Sequence, residues 1–261
     1  MSKSNLKLTL LSALFTVFFC LSFFTGCASL NFKAMHNIKV YDLAKQISNT
    51  NKEIKTSKGL GWLKITENHT EIVFKIAWIT EPPDKIRATL ISGGLPVETI
   101  ASNGEKIAFF SHTGKHKLKT YNIKNPSLED IILIPVRIRD IIALLSGQIP
   151  IKDFKYAFID NQINQIDNSL ETIILKNSAD KGIQKLYLDS EKQVKKYMLT
   201  DWKADPLYNI VFLDSIKIDS LTIPSKILIQ DNLNRKVTLE ISKFHKNLSL
   251  KKSLFTLTDK R

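Results

Sequence analysis

The chain is 261 residues long and carries 38 Lys+Arg against 25 Asp+Glu, a formal net charge of +13. One domain of the larger β type accommodates that length, and two cysteines are too few for a disulfide scaffold. A chain this basic meets anionic lipid, acidic polymer or nucleic acid, or wears a lysine-rich solvated surface; no P-loop, Rossmann or Gly-x-Ser-x-Gly signature is present, which excludes those routes to catalysis.

Lys3 and Lys7 precede an uncharged apolar run over residues 8–24, and Thr25-Gly26-Cys27 follows it. This is the layout of a secretory signal peptide over residues 1–26. A small residue directly before a cysteine resembles a bacterial lipobox, with Phe24 where the strict pattern has leucine. On that reading Cys27 carries covalent diacylglycerol and an N-acyl chain, and the chain needs no other cofactor. Residues 27–35 then form a tether and residues 36–261 the single folded domain. An ordinary cleaved signal and an uncleaved anchor are the competing readings, since the run is near the ~18-residue lower bound for a span. Cleavage would remove Cys20, leaving a mature chain with no disulfide in an oxidising compartment. Ala28 is not the aspartate that holds enteric-type lipoproteins at the inner membrane, so the expected address is the periplasmic face of the outer membrane. That compartment leaves no role for nucleic acid.

The mature chain opens on a helical stripe over residues 31–51, in which Ile38, Tyr41, Leu43, Ala44 and Ile47 recur at helical spacing. Two strands follow, residues 59–65 and 71–79, joined by a polar turn at Glu67-Asn68-His69. The second is apolar on both faces, which predicts a central position. Residues 84–110 hold three extended runs. Ile86, Ala88 and Leu90 alternate with Arg87 and Thr89; Gly93-Gly94 breaks the run, Leu95-Pro96 follows at the turn, and Asn103-Gly104 is a strong hairpin signal. Leu95 is unusual, because turns are normally polar. Either it folds back on the sheet as a local staple, or it is held out to touch a membrane or lipid.

Ser127 is positioned to cap a short helix that Pro135 limits. A second helix over residues 137–146 presents Ile138, Ile141, Ile142, Leu144 and Leu145, and Gly147 and Pro150 stop it. From Phe154 onward strand follows strand, and the last two form a hairpin over Asp231-Asn232-Leu233-Asn234. A long antiparallel sheet with helices on one face must curl or close.

Four segments together resemble the outer-membrane lipoprotein receptors of the LolB type, and more broadly the LolA/LolB-like fold. They are residues 59–65 (GLGWLKI), residues 87–100 with Leu95, residues 133–150 ending in LSGQIP, and the hairpin of residues 223–241. The resemblance covers about residues 36–245; the tail from Lys246 runs beyond the usual end of such receptors. It implies an α+β, mainly antiparallel fold: a half-open β-barrel of about ten or eleven strands with helices plugging the open face. It also implies a monomer that binds acyl chains of lipoproteins or other lipids in an apolar cavity, receives cargo from a periplasmic LolA-like carrier, and inserts it into the outer membrane without covalent chemistry. Gly93, Gly94, Leu95 and Pro96 would be the membrane-contacting loop. Trp62, Phe74, Trp78, Leu90, Ile142 and Leu145 are the candidate cavity wall; each has ordinary sealed core as its competing reading.

The search for chemistry finds little. His112 and His116 are four apart, but Gly114 lies between them in a strand-like stretch, where that spacing does not converge on a metal. No catalytic or metal-ligating set is expected. Besides the lipoprotein acceptor, a non-transferring binding or scaffold module and an envelope hydrolase are the alternatives.

Overall fold

The computed structural model describes residues 38–160, 170–178 and 182–258. The signal segment, Cys27 and the tether lie outside the described residues. Thirteen strands form one antiparallel sheet in the order β6-β5-β4-β3-β2-β1-β13-β12-β11-β10-β9-β8-β7. The chain starts in the middle of the sheet. It meanders outward through β1 (Ser57–Glu67), β2 (Thr70–Glu81), β3 (Lys85–Ser92), β4 (Leu95–Asn103), β5 (Ile107–Ser111) and β6 (Lys119–Tyr121). It then crosses to the opposite edge through two short helices. From there it returns through β7 (Tyr156–Ile159), β8 (Glu171–Lys176), β9 (Ile183–Leu188), β10 (Val194–Thr200), β11 (Pro206–Ile218), β12 (Leu221–Asp231) and β13 (Lys236–Lys246). β13 pairs with β1 and joins the two meanders. β6 and β7 each pair on one side only, so the sheet is open. Thirteen strands exceed the ten or eleven expected; the surplus lies in short edge strands, of which β6 has three residues, all exposed.

Local chemistry accounts for the turns. Gly93 and Gly94 both have positive φ, 57° and 82°, the geometry of a two-residue hairpin that matches strand twist. At the β12–β13 turn the buried Asp231 carboxylate accepts the backbone N–H groups of Leu233 and Arg235 at 2.9 and 3.0 Å, and Arg235 Nε donates to it at 2.6 Å. Pro224 stands where β12 has no β13 partner, since that pairing begins at Lys226.

The first helix, α1 (Ile38–Ser48), buries Val40, Ala44 and Ile47. Ile38 is 68% exposed, so Val40 takes the place in the stripe that the spacing assigned to Ile38. The crossover carries α2 (Glu129–Ile132) and α3 (Ile138–Leu145). Ser127 Oγ accepts the N–H of Glu129 at 3.3 Å, although the residue at the helix boundary is Leu128. Gly147, φ 71°, ends the α3 region. The tail forms a 3-10 turn, Lys252–Phe255, that packs on β3 and β4 with Phe255 buried.

β2 is interior, as its apolar pattern predicts, but not for the predicted reason. Ile72 and Val73 are exposed where the β1–β2 hairpin projects, and burial begins only at Ile76.

Candidate functional site

Strand register decides which side chains share the face under the helices. Leu63 of β1 pairs with Phe74 and with Leu239; Gly61 pairs with Ile76 and Ile241. Ile76 pairs in turn with Leu90, and Trp78 with Ala88. Because the side-chain period is two, these residues stand on one inner face, and Trp62, Val73 and Lys75 stand on the outer one.

Between the inner face and the helices lies a cavity of about 60 Å³. Strands β1–β4, β12 and β13 contribute Leu63, Ile76, Ile86, Ala88, Leu90, Ile100, Ile229, Val237 and Leu239; the helical segment contributes Leu128, Ile131, Ile132, Ile138, Ile141, Leu144 and Leu145. Every lining side chain is aliphatic. Among the described residues no titratable group lines the space, so its wall suits an apolar guest. A void this apolar stays dry, and its walls lack dispersion partners that a guest would supply.

Polar groups hold the helices at the rim of this cavity. Trp78 Nε1 donates to the carbonyl of Leu145 at 3.1 Å, and Ser57 Oγ donates to the same oxygen at 2.8 Å. Thr80 bonds Ser57 and Ser146. Tyr208 OH donates to the buried Asp140 carboxylate at 2.6 Å. Burial pushes the Asp140 carboxyl up from its ordinary value, with the Tyr208 hydrogen bond opposing that rise; burial also raises the Tyr208 hydroxyl well above its usual range. Two surface ion pairs also join the helical segment to turns of the sheet: Arg139 to Asp84 and Arg235 to Glu129, each at 3.1 Å.

Of the residues singled out from sequence, Leu90 and Leu145 line the cavity. Trp78 is buried beside it and committed to Leu145. Ile142 is fully buried outside the wall. Phe74 is half-buried on the inner face, nearer the β1–β2 tip. Trp62 does not belong to the wall: it is 50% exposed on the outer face. Gly93 and Gly94 form the β3–β4 turn, while Leu95 and Pro96 belong to β4 and pair with Ser92 and Ile91. The loop is therefore a tight turn rather than a long protrusion. Leu95 is 71% exposed and does not fold back on the sheet. His112 Nε2 bonds Thr99 at 2.8 Å and His116 Nε2 bonds Glu98 at 3.1 Å, so the two rings have separate partners. Leu128 at the start of α2 and its residues Ile131 and Ile132 were not anticipated. Their signal was the run Ile131-Ile132-Leu133-Ile134, too apolar all round for a surface helix.

No protein-family model matches the chain, and no curated protein matches it. Solved structures do. A DUF1329 family protein from Desulfovibrio piger superposes with a TM-score of 0.59 at 9% identity, over 84% of this chain and 96% of that one. A LolA superfamily protein from Nitrosomonas europaea gives 0.57 at 12% identity, over 84% and 97%. An outer membrane lipoprotein-sorting protein domain from Vibrio parahaemolyticus gives 0.57 at 10% identity, over 84% and 96%. An open antiparallel sheet with short helices against its inner face, superposing on these chains along nearly their whole length, is the LolA-superfamily fold, and this chain adopts it.

Proposed function

We propose that this protein is an envelope lipoprotein, anchored through acylated Cys27 at the periplasmic face of the outer membrane, that accepts lipoproteins from a LolA-like soluble carrier and inserts them into that membrane. The observation that carries the reading is the cavity, whose wall is aliphatic throughout. Acyl chains are the guests such a wall suits, since each buried CH₂ contributes ~0.8 kcal/mol. The cavity of about 60 Å³ is smaller than the engineered cavity of about 150 Å³ that takes benzene. A chain therefore enters only when α2 moves off the sheet. α2 is one turn long, is flanked by Asn125 and Leu133 at positive φ, and is tied to the sheet by the Arg235–Glu129 pair. Leu95 is the residue we assign to membrane contact. The reaction is transfer without bond making, so the protein is not an enzyme.

A second reading, a non-transferring binding or scaffold module, draws on the small cavity and the two-residue β3–β4 turn. Mass spectrometry of lipids retained by the domain lacking residues 1–27, purified without detergent, separates the two. Acyl-bearing lipid at close to equimolar amount is the expected result. A protein that retains none, and takes up no fluorescent fatty acid, would leave the second reading standing.

A further inference from the structure

Leu95, Leu233 and Trp202 are 71%, 67% and 64% exposed; among the described residues, only Ile38 at the start of α1 is a large apolar side chain exposed to that degree. All three lie at hairpin turns, and antiparallel pairing puts those turns at one end of the sheet. Thr66 near the β1–β2 turn pairs with Lys236 at the β12–β13 turn. Asp231 pairs with Tyr208, which follows the β10–β11 turn. Lys75, midway along β2, pairs with Ile91 beside the β3–β4 turn, so that turn faces the same end of the sheet but is set back from the β1–β2 tip. In sheet order the four hairpins are consecutive, and the β1–β2 hairpin projects beyond the β3–β4 turn beside it. The β1–β2 hairpin adds Ile72 and Val73, both exposed.

The opposite end is different. Its turns read Glu81-Pro82-Pro83-Asp84, Asn103-Gly104-Glu105-Lys106 and Ile218-Asp219-Ser220, the polar chemistry that turns ordinarily have. The apolar character belongs to one rim.

A protein partner of ordinary affinity covers a continuous patch of about 800 Å² per side. Separate prongs suit a fluid that closes around each of them. Lys203 Nζ sits 5.1 Å from the centroid of the Trp202 ring, and an indole beside an ammonium matches the bilayer interface, where the ring lies among headgroups and the charge meets phosphate. Without Lys3 and Lys7 of the signal segment, 36 Lys+Arg against 25 Asp+Glu leave a net +11, which favours an anionic leaflet.

We propose that this rim docks on an anionic phospholipid bilayer, with Trp202 and Leu233 entering the headgroup–acyl boundary alongside Leu95. Ile72, Phe74 and Ile76 share the inner face of β2, so an apolar track leads from the rim to the cavity wall at Ile76. The inference rests on the membrane location proposed above and not on the cargo.

The test uses the full-length chain reconstituted in phosphatidylethanolamine–phosphatidylglycerol vesicles containing phosphatidylcholine brominated along its acyl chains. Bromine quenches tryptophan that enters the bilayer. Quenching is expected in the wild type, absent in Trp202→Phe and retained in Trp62→Phe, whose ring lies on the outer face. Leu95→Ser combined with Leu233→Ser should reduce the quenching about threefold or more, with circular dichroism and Tm unchanged. Absent quenching in the wild type, quenching that survives Trp202→Phe, or a folded double variant quenched like the wild type would each overturn the proposal. A chain that stays on vesicles with Trp202 unquenched removes the rim and leaves the anchor. Quenching in a protein that binds no acyl chain removes the transfer reading and leaves the rim.

Discussion

At Gly59 one methyl group is enough to disturb the packing of Trp78 beside the cavity. A Cβ there would lie 2.1 Å from the Trp78 ring and 2.6 Å from the Lys243 carbonyl oxygen. The indole cannot retreat freely, because its N–H holds the Leu145 carbonyl. Gly59→Ala should therefore cost about 1–3 kcal/mol, read by urea unfolding; an unchanged midpoint would mean that the ring has room to move. Asp140 offers a second measurement. Burial raises its folded carboxyl above the unfolded value, so the native state holds the proton more firmly than the unfolded chain. Stability then falls as pH rises from the ordinary carboxylate range through the raised value, and is flat beyond it. Asp140→Asn keeps an acceptor for Tyr208 OH and removes the titration. The stability of the wild type relative to the variant should decline through that window in unfolding series between about pH 4 and 8. A difference independent of pH would show that burial leaves this carboxyl untouched.

Among the elements, α2 is a single short turn with an exposed ion pair to the sheet. Its four residues are joined to the β12–β13 turn by Glu129 and Arg235, with the Glu129 side chain about half exposed. Exposed pairs contribute little, so Glu129→Gln should lower stability by no more than about 1 kcal/mol. It should nevertheless speed hydrogen exchange at Ile131, Ile132 and Leu133, whose N–H groups close this turn, by about two- to fivefold. Exchange at wild-type rates would mean that α2 is held by its apolar contacts alone. The elements themselves were largely legible. Alternation and glycine or Asx turns located the long hairpins, and the Gly147 stop located the end of α3. The cavity wall was legible only in part. Spacing shows that Leu63 and Ile65 share a face opposite Trp62, yet it does not show which face meets the helices. Trp62 is a wall candidate from the sequence, whereas register pairs Leu63 with Phe74 and leaves Trp62 outside. For α1, periodicity alone could not choose between Ile38 and Val40, because the answer depends on where the first turn meets its neighbours.

At the scale of the whole molecule, the decisive feature is a topology that begins at the sheet's centre, ends beside its own start and leaves two distant edges bridged by helices. Turns far apart in sequence, at Gly93-Gly94, at Trp202 and at Leu233, thereby face the same end of the sheet, a placement no local pattern could reveal. On the proposed function, a substitution at Leu95 should separate holding a guest from delivering it. The side chain stands on the rim with 71% of its surface free, so Leu95→Glu should change stability by no more than about 0.5 kcal/mol. The cavity wall does not include it, so fatty-acid binding should persist. Entry of a leucine into the bilayer contributes about 1.5–3 kcal/mol. A glutamate forfeits that contribution and adds repulsion from anionic headgroups, so delivery of a bound lipoprotein to vesicles should fall on the order of 10- to 100-fold. Loss of binding together with delivery would place Leu95 at the mouth of the cavity instead, and intact delivery by a folded, binding-competent variant would remove it from the transfer step.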